Sequence, residues 1–207
     1  MKKNVLLVLG LVMFSFLSFG AKDLDSPKHK VLLNEGSMEI REYSPYLTVS
    51  VVYDESKGES KGSAFRILFK YISGANVASE NMSMTSPVLD APGNKISMTS
   101  PVLDQSKDGL RKMSFMVPSI YNINTVPMPT DNRVLVEEVP ARIVAANTFS
   151  WFAGKKKQAR KSTELKRWID DLNQYNIVSK SIYAGYNAPL TLPHTKRHEM
   201  MFVLVMK

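Results

Sequence analysis

Cysteine is absent from the 207 residues of the chain. This absence excludes a disulfide scaffold, a cysteine-ligated zinc or iron–sulfur site, a thiol nucleophile and a lipid-modified cysteine. Any bound metal or cofactor must therefore be held without thiolate. The composition is 44% hydrophobic with a formal net charge of +8, which is typical of one globular domain with a real core. Collagen-like, coiled-coil and disordered classes are excluded on the same grounds.

Long apolar runs are also lacking beyond residue 20. The N-terminus has Lys2 and Lys3 in front of an apolar stretch at 5–19, followed by small residues where a signal peptidase would cut. We therefore predict that residues 1–20 are a secretory signal peptide and that the protein is exported, to the periplasm or beyond the cell. The alternative is a retained membrane anchor, but the run is shorter than the roughly 20 residues of a spanning helix.

The rest of the chain is interpreted as a polar leader at 21–36 and one domain at 37–207, in which one hydrophobic pattern occurs twice. In each half, two strands are followed by a helix and two more strands. The strand candidates are 37–43, 46–53, 95–103 and 112–117 in the first half, and 133–139, 143–152, 177–186 and 199–206 in the second. This duplicated ββαββ order predicts a single α+β domain with a curved or barrel-like antiparallel sheet. Two separate small domains are the alternative, although such units bury proportionally less surface.

Both predicted helices carry one apolar stripe. The first runs from about Gly62 to Gly74, and its stripe of Phe65, Leu68, Phe69 and Ile72 has the spacing i, i+3, i+4, i+7. The second begins after Gly154 and has the same spacing at Leu165, Trp168, Ile169 and Leu172. Its other faces carry seven cations: Lys155, Lys156, Lys157, Arg160, Lys161, Lys166 and Arg167.

An octapeptide, Ser-Met-Thr-Ser-Pro-Val-Leu-Asp, occurs at 83–90 and again, unchanged, at 97–104. Pro87 and Pro101 lack the amide hydrogen that a central strand requires, so each is expected at a strand end, an edge or a bulge. A short tandem duplication that lengthens a loop or hairpin explains the repeat, and a ligand-binding purpose for both copies is the alternative. At least one copy is expected to be structural.

Seven short motifs, in order, resemble those of the SOUL haem-binding protein family. They are Ile-Arg-Glu-Tyr (40–43), Phe-Lys-Tyr-Ile-Ser-Gly-Ala-Asn (69–76), Ile-Ser-Met-Thr-Ser-Pro-Val (96–102), Met-Ser-Phe-Met-Val-Pro (113–118), Val-Pro-Met-Pro (126–129), Gly-Tyr-Asn-Ala-Pro (185–189) and Arg-His-Glu (197–199). The resemblance implies a pseudo-twofold ββαββ duplication that forms a twisted eight-stranded antiparallel barrel flanked by two helices. It also implies reversible binding of haem or a free porphyrin, with no enzymatic activity established across the family.

The resemblance places the porphyrin in a shallow apolar cleft along the first helix, with basic groups at its rim. Phe65 and Phe69 match the apolar wall, Lys70 is the neighbouring base, and Met98 is a further wall candidate. His198 stands where the family often has asparagine, and it is a candidate axial ligand.

Each of these residues also has a structural interpretation. The two phenylalanines and Met98 fit a core, Lys70 fits the negative end of a helix dipole, and His198 fits a loop surface. His194 and His198 have the i, i+4 spacing of a metal pair, but the proline at 193 and the strand that follows argue against a helix there.

The sequence contains little that indicates an enzyme. The sequence has no Gly-x-Ser-x-Gly elbow, no glycine-rich phosphate loop and no His-Glu-x-x-His motif. The acidic pairs at 137–138 and 170–171 are adjacent in sequence, so their carboxylates diverge on either a strand or a helix. We therefore expect a non-enzymatic binding protein, with a hydrolase on the same scaffold as a minor alternative.

The expected partners follow from the ligand and from the charge. Haem or another tetrapyrrole is the expected ligand, and a monomer is the expected state. The second class of function is an interaction module that docks a protein or an anionic surface, such as a membrane, through the basic second helix. Nucleic acid is not expected, because the protein is predicted to be exported and because aromatic residues are scarce among the cations.

Overall fold

Ten strands and two α-helices occupy the residues that the computed structural model describes, namely 26–78, 82, 88–92, 110–187 and 191–207. The strands are β1 (His29–Glu35), β2 (Met38–Tyr43), β3 (Tyr46–Asp54), β4 (Val88–Pro92), β5 (Leu110–Met116), β6 (Leu135–Val139), β7 (Arg142–Phe149), β8 (Tyr175–Ile177), β9 (Ile182–Gly185) and β10 (His198–Met206). The helices are α1 (Lys61–Ile72) and α2 (Lys155–Leu172), and short 3-10 turns cover Glu55–Lys57 and Pro193–Thr195.

Helix α1 begins and ends where its sequence provides caps. The Ser60 side chain accepts a hydrogen bond from the backbone N–H of Ser63, whose own hydroxyl accepts one from the Ser60 N–H, so that the two serines form a capping box. At the other end Gly74 has φ +103°, a conformation that favours glycine. The predicted helix is therefore confirmed to within two residues at each end.

The strands form one antiparallel sheet in the order β1-β2-β7-β10-β9-β4-β5-β3-β6, with β8 also paired to β10. Eight of these strands are arranged symmetrically with respect to the two halves of the chain. If β2 is exchanged for β6, β3 for β7, β4 for β9 and β5 for β10, the same strand order is obtained, read from the other end of the sheet. The sheet is thus the product of a duplication whose halves meet at the β4–β9 pair. Because β2 pairs with β7 and β3 pairs with β6, each half contributes a strand to the other.

The predicted α+β class, with a curled antiparallel sheet and two helices, is confirmed. One predicted strand lies outside the described residues, another is divided in two, and β1 and β4 are strands that were not predicted. The strand placed at 95–103 lies outside the described residues, and β4 is instead formed by the end of the first octapeptide. The single strand placed at 177–186 is divided into β8 and β9, because the Ser179 hydroxyl accepts the hydrogen bond of the Val203 N–H at 2.8 Å. Strand β1 lies in the segment expected to be a polar leader, and it pairs with β2.

Successive side chains of each strand point to opposite faces of the sheet, and both faces are buried in part. Helix α1 covers one part of the outer face, where its Leu68 and Tyr71 pack on β3 and β5. Helix α2 covers another part through Leu165 and Ile169. The inner face has its own apolar cluster, made of Tyr43, Leu89, Met116, Val144, Ala146, Ala184 and Met201.

The inner face also buries an ion pair. Arg41 donates to both carboxylate oxygens of Glu199 at 2.9 Å, and the two side chains are 2% and 0% exposed. Tyr186 at 2.6 Å, Thr148 at 3.1 Å and Arg197 at 2.7 Å also donate to this carboxylate. Burial alone would raise the pKa of Glu199, but Arg41, Tyr186 and Arg197 outweigh it and lower the pKa to about 2. Glu199 is therefore ionised and fully paired at neutral pH.

Candidate functional site

An apolar surface lies on one flank of α1. The rings of Phe65 and Phe69 are stacked, with centroids 6.0 Å apart and planes at 13°, and Phe65 also meets Phe115 edge-on at 5.2 Å. Phe65 is half-buried against the core, whereas Phe69 is 47% exposed. The arc of α1 that faces the sheet is filled by other residues, so the Phe65–Phe69 surface remains open to solvent.

Lys61 continues this flank toward the start of the helix, because residues 61, 65 and 69 recur every four positions. Its ammonium lies 3.2 Å from the Asp90 carboxylate and 4.6 Å from the centre of the Tyr183 ring. This flank of α1 therefore faces the β4–β9 strand pair, where the two halves of the sheet meet; this pair is called the seam below.

Asp90 is the anionic centre of this seam. It is 7% exposed, and it accepts hydrogen bonds from Arg111 Nε at 3.0 Å and from the Tyr53 hydroxyl at 3.2 Å, in addition to Lys61. Burial, and then the charge of Asp90, raise the pKa of both Tyr53 and Tyr183 to about 12. Both phenols therefore stay protonated across the physiological range.

Lys70 does not lie on the flank that carries the phenylalanines, and its role at the rim of a porphyrin cleft stays a prediction. It lines an open groove of about 600 Å³ on the other flank of α1, together with Ile67, Tyr71 and Arg133. The hydrogen bonds of Arg133, with a further contribution from the Lys70 charge, hold the pKa of Asp131 in this groove at about 2. Successive helical residues diverge by about 100°, so Lys70 points away from Phe69.

Arg66 is the cation that the helical spacing places beside Phe69, since residues three apart are neighbours on a helix. Its side chain is exposed, and within the described residues it makes no ion pair. The sequence prediction missed Arg66 and Lys61, although both could have been found by counting three and four residues back from the two phenylalanines.

His198 is also separated from the phenylalanine surface. It lies in β10, 8% exposed, and both of its ring nitrogens are engaged: Nδ1 with the Tyr183 hydroxyl at 2.7 Å and Nε2 with the Trp151 carbonyl at 2.8 Å. Burial lowers its pKa, so the ring is neutral at pH 7; Nε2–H then donates to the carbonyl and Nδ1 accepts from Tyr183. In this arrangement both nitrogens are engaged, so an axial role for His198 stays a prediction that would require one of these hydrogen bonds to break.

The other candidate residues either lie outside the described residues or are exposed. Met98, Pro87 and Pro101 lie outside the described residues, as do residues 1–20. His194 is exposed in the 3-10 turn before β10, with its ring 6.5 Å from that of Trp151. Among the side chains that the structure describes, no group of three or more histidine or acidic residues could hold a metal ion.

A second concavity lies at one end of the sheet, beside the β2–β3 turn. It has a volume of about 330 Å³ and is lined mainly by apolar side chains, among them Tyr46, Leu47, Met116 and Tyr121. This is the lower end of the range for small-molecule pockets, about 300–1,000 Å³. No cation that could pair with two carboxylates converges there apart from Lys28 at the rim.

Comparison with known proteins decides the family. Residues 24–203 match the model of the SOUL haem-binding protein family. The chain belongs to this family. The match begins five residues before β1, so the family domain includes most of the segment that the sequence had assigned to a polar leader.

A curated relative of this SOUL protein is haem-binding protein 1 of Xenopus laevis, which is 25% identical over 172 residues and covers 81% of this chain and 83% of the relative. Two solved structures from Listeria innocua share the fold. One is an uncharacterised conserved protein (TM-score 0.59, 9% identity, 82% of this chain and 92% of the other). The second is described as a hydrolase (TM-score 0.58, 8% identity, 84% and 94%). At such low identity these likenesses show the fold alone.

Proposed function

We propose that this SOUL protein is an exported, non-enzymatic protein that binds haem or free porphyrin reversibly on the Phe65–Phe69 surface of α1. The observation that carries the proposal is the 47% exposure of Phe69, stacked beside Phe65, with Lys61 one turn before Phe65 and Arg66 one turn before Phe69. A porphyrin is a flat apolar plate with two carboxylates, so it needs such a surface and such cations. Family membership supports the same ligand class.

The residues present fit the plate and its carboxylates. Arg66 is exposed and, within the described residues, not ion-paired, which leaves its guanidinium available to a propionate. Lys61 is the second cation, although it shares its charge with Asp90. His198 cannot reach an iron atom while both nitrogens are bonded, so binding on this flank depends on stacking and charge.

We expect the purified protein to give a saturable Soret change with hemin at one-to-one stoichiometry, and Phe69→Asp to weaken the affinity by about tenfold or more. The reason is that the substitution removes apolar contact area worth about 1.5–3 kcal/mol and places an anion beside the propionates. Phe152→Asp is the matched control, since Phe152 is 68% exposed on a different element. Equal affinity for wild type and Phe69→Asp would rule out this surface as the site.

Two charge reversals distinguish the flanks of α1. Arg66→Glu is expected to weaken hemin binding several-fold, whereas Lys70→Glu should leave it within about twofold, because an exposed ion pair contributes up to about 1 kcal/mol and only Arg66 neighbours Phe69. Affinities from the same Soret titration provide the comparison. If Lys70→Glu has the larger effect, the ligand occupies the groove on the other flank.

A metal-free porphyrin provides a further check. Because no described nitrogen ligand faces this surface, protoporphyrin without iron is expected to bind within several-fold of hemin, measured by quenching of porphyrin fluorescence. Binding that requires iron would show that an axial ligand from elsewhere in the chain completes the site.

A further inference from the structure

Two adjacent aromatic side chains project into solvent between β7 and α2. Trp151 is 55% exposed and Phe152 is 68% exposed, and Leu192 on the neighbouring loop is 62% exposed. The Trp151 N–H donates to the Pro193 carbonyl at 3.0 Å, so the two loops are joined at this point. Large apolar side chains exposed close together on a globular domain are candidates for an interaction surface.

The aromatic loop is held in position. Trp151 has φ +69°, a left-handed backbone conformation that bulky residues rarely adopt. Its carbonyl accepts the His198 Nε2 hydrogen bond at 2.8 Å, the Ser150 carbonyl accepts one from Lys157 Nζ at 2.7 Å, and the Ala153 carbonyl accepts one from Gln158 Nε2 at 2.6 Å. These hydrogen bonds therefore hold a strained backbone in a conformation in which both aromatic rings are exposed.

Cations follow the aromatic loop directly. Lys155, Lys156 and Arg160 are exposed at the start of α2, and the first acid of the helix is Glu164, which pairs with Lys161 at 2.7 Å and more loosely with Arg160 at 3.7 Å. Lys156, Arg160 and Arg167 share one solvent-facing stripe at i, i+4 and i+11. The first turn of α2 has no acidic residue, although the helix dipole favours acids there, so these lysines are not placed for the stability of the helix.

We propose that Trp151 and Phe152, together with the exposed cations of α2, form a docking surface for an anionic lipid bilayer. The two rings enter the headgroup layer, and Lys155, Lys156 and Arg160 meet the lipid phosphates. Tryptophan and phenylalanine beside lysine-rich helical turns match the chemistry of the membrane–water interface, where apolar rings and cations are both favoured. A protein partner would also require a complementary acidic groove, whereas a charged bilayer presents the required negative surface without one.

We test the proposal with vesicles of phosphatidylcholine, with and without phosphatidylglycerol. The protein is expected to sediment only with the anionic vesicles, and less at high salt. The chain has two tryptophans, so the Trp168→Phe variant leaves Trp151 as the sole reporter. Its fluorescence should shift to the blue on binding and be quenched by lipids brominated near the headgroup. An unshifted emission on binding would contradict insertion of the ring.

Charge reversal tests the cationic part. Lys155→Glu with Lys156→Glu is expected to weaken vesicle binding by about tenfold or more, since each cation near an anionic surface contributes substantially. Lys28→Glu with Lys57→Glu changes the net charge equally at exposed positions outside α2 and the strands that it contacts, and it should leave binding nearly unchanged. An equal loss of vesicle binding in the two double variants would mean that only net charge matters, and the proposed docking surface would be wrong.

The melting temperature of the Lys155→Glu, Lys156→Glu variant shows whether it is folded. Acids in the first turn of α2 interact favourably with the helix dipole, so this variant should melt no lower than wild type. Self-association through this surface, seen as a concentration-dependent mass without vesicle binding, would instead assign it to a protein partner and overturn the lipid proposal. Hemin binding by the reversed variant is expected to be unchanged, so the outcome is independent of the proposed porphyrin site.

Discussion

Replacing Glu199 with alanine is expected to lower the free energy of unfolding by about 3–5 kcal/mol, because the buried Arg41 guanidinium loses its fully buried counter-ion and keeps only the partly exposed Glu39. The Arg41 side chain is 2% exposed and donates two hydrogen bonds to this carboxylate. The remaining acceptors are Glu39, 2.6 Å from Nε, and the Tyr43 hydroxyl, 3.2 Å from Nη1, so within the described residues Nη2 loses its acceptor. Urea denaturation followed by circular dichroism measures the loss.

The matched control is Glu164→Ala, which removes a carboxylate that pairs with Lys161 on the surface of α2 and should cost about 1 kcal/mol or less. The double replacement Arg41→Met with Glu199→Leu should recover much of the loss, since an apolar pair of similar volume leaves no buried charge. A Glu199→Ala protein as stable as the Glu164→Ala protein would show that the inner face is hydrated.

The same carboxylate gives the fold a sensitivity to acid. Its pKa is about 2 in the folded protein against an ordinary value of 4.5. A lowered pKa contributes stability that is complete above pH 4.5 and is lost as the pH falls toward 2, to an extent of about 3 kcal/mol. Glu199→Gln should remove this part of the pH dependence, so its stability should fall less than that of wild type over this range.

Asp90→Ala is expected to destabilise the protein by about 2–3 kcal/mol, because it leaves the buried Tyr53 hydroxyl without its acceptor and Arg111 without its counter-ion. The loss lies at the β4–β9 seam, where the two halves of the sheet meet. Thermal unfolding measures it, with Asp171→Ala, at an exposed carboxylate of α2, as the surface comparison.

The repeated octapeptide makes this substitution doubly informative. Asp104 ends the second copy as Asp90 ends the first, and the two copies are identical. If the first copy provides β4, only Asp90→Ala should carry the full loss. A full loss at Asp104 and none at Asp90 would show that the second copy occupies this position in the sheet.

The sequence predicted those elements that have a clear hydrophobic period. The apolar stripes of both helices and the alternation in β2, β3 and β10 are strong signals, so their bounds agree with the structure within a few residues. Strand β4 could not be chosen from pattern, because two identical segments compete for it. The division between β8 and β9 also escaped prediction, since it depends on a hydrogen bond from a distant strand to the Ser179 side chain.

The arrangement of the candidate residues could be predicted from the sequence only in part. Phe65 and Phe69 share a flank because they are four residues apart, but their exposure depends on which arc of α1 faces β3 and β5, which only packing decides. Lys70 was chosen for its nearness in sequence, whereas helical geometry favours Arg66. The engagement of His198 with Trp151 and Tyr183 joins three separate segments of the chain, and no local pattern indicates it.

The strand exchange between the halves has a consequence for how the polypeptide acquires its structure. While the first repeat is being synthesised, β2 and β3 each lack one of their two neighbouring strands, because β7 and β6 come about a hundred residues later. Assembly must wait for the whole chain, so folding is dominated by distant pairings and should be slow for a protein of this size. A nick introduced between β5 and β6 should accordingly yield two fragments that are unstructured alone and regain the native spectrum only when mixed.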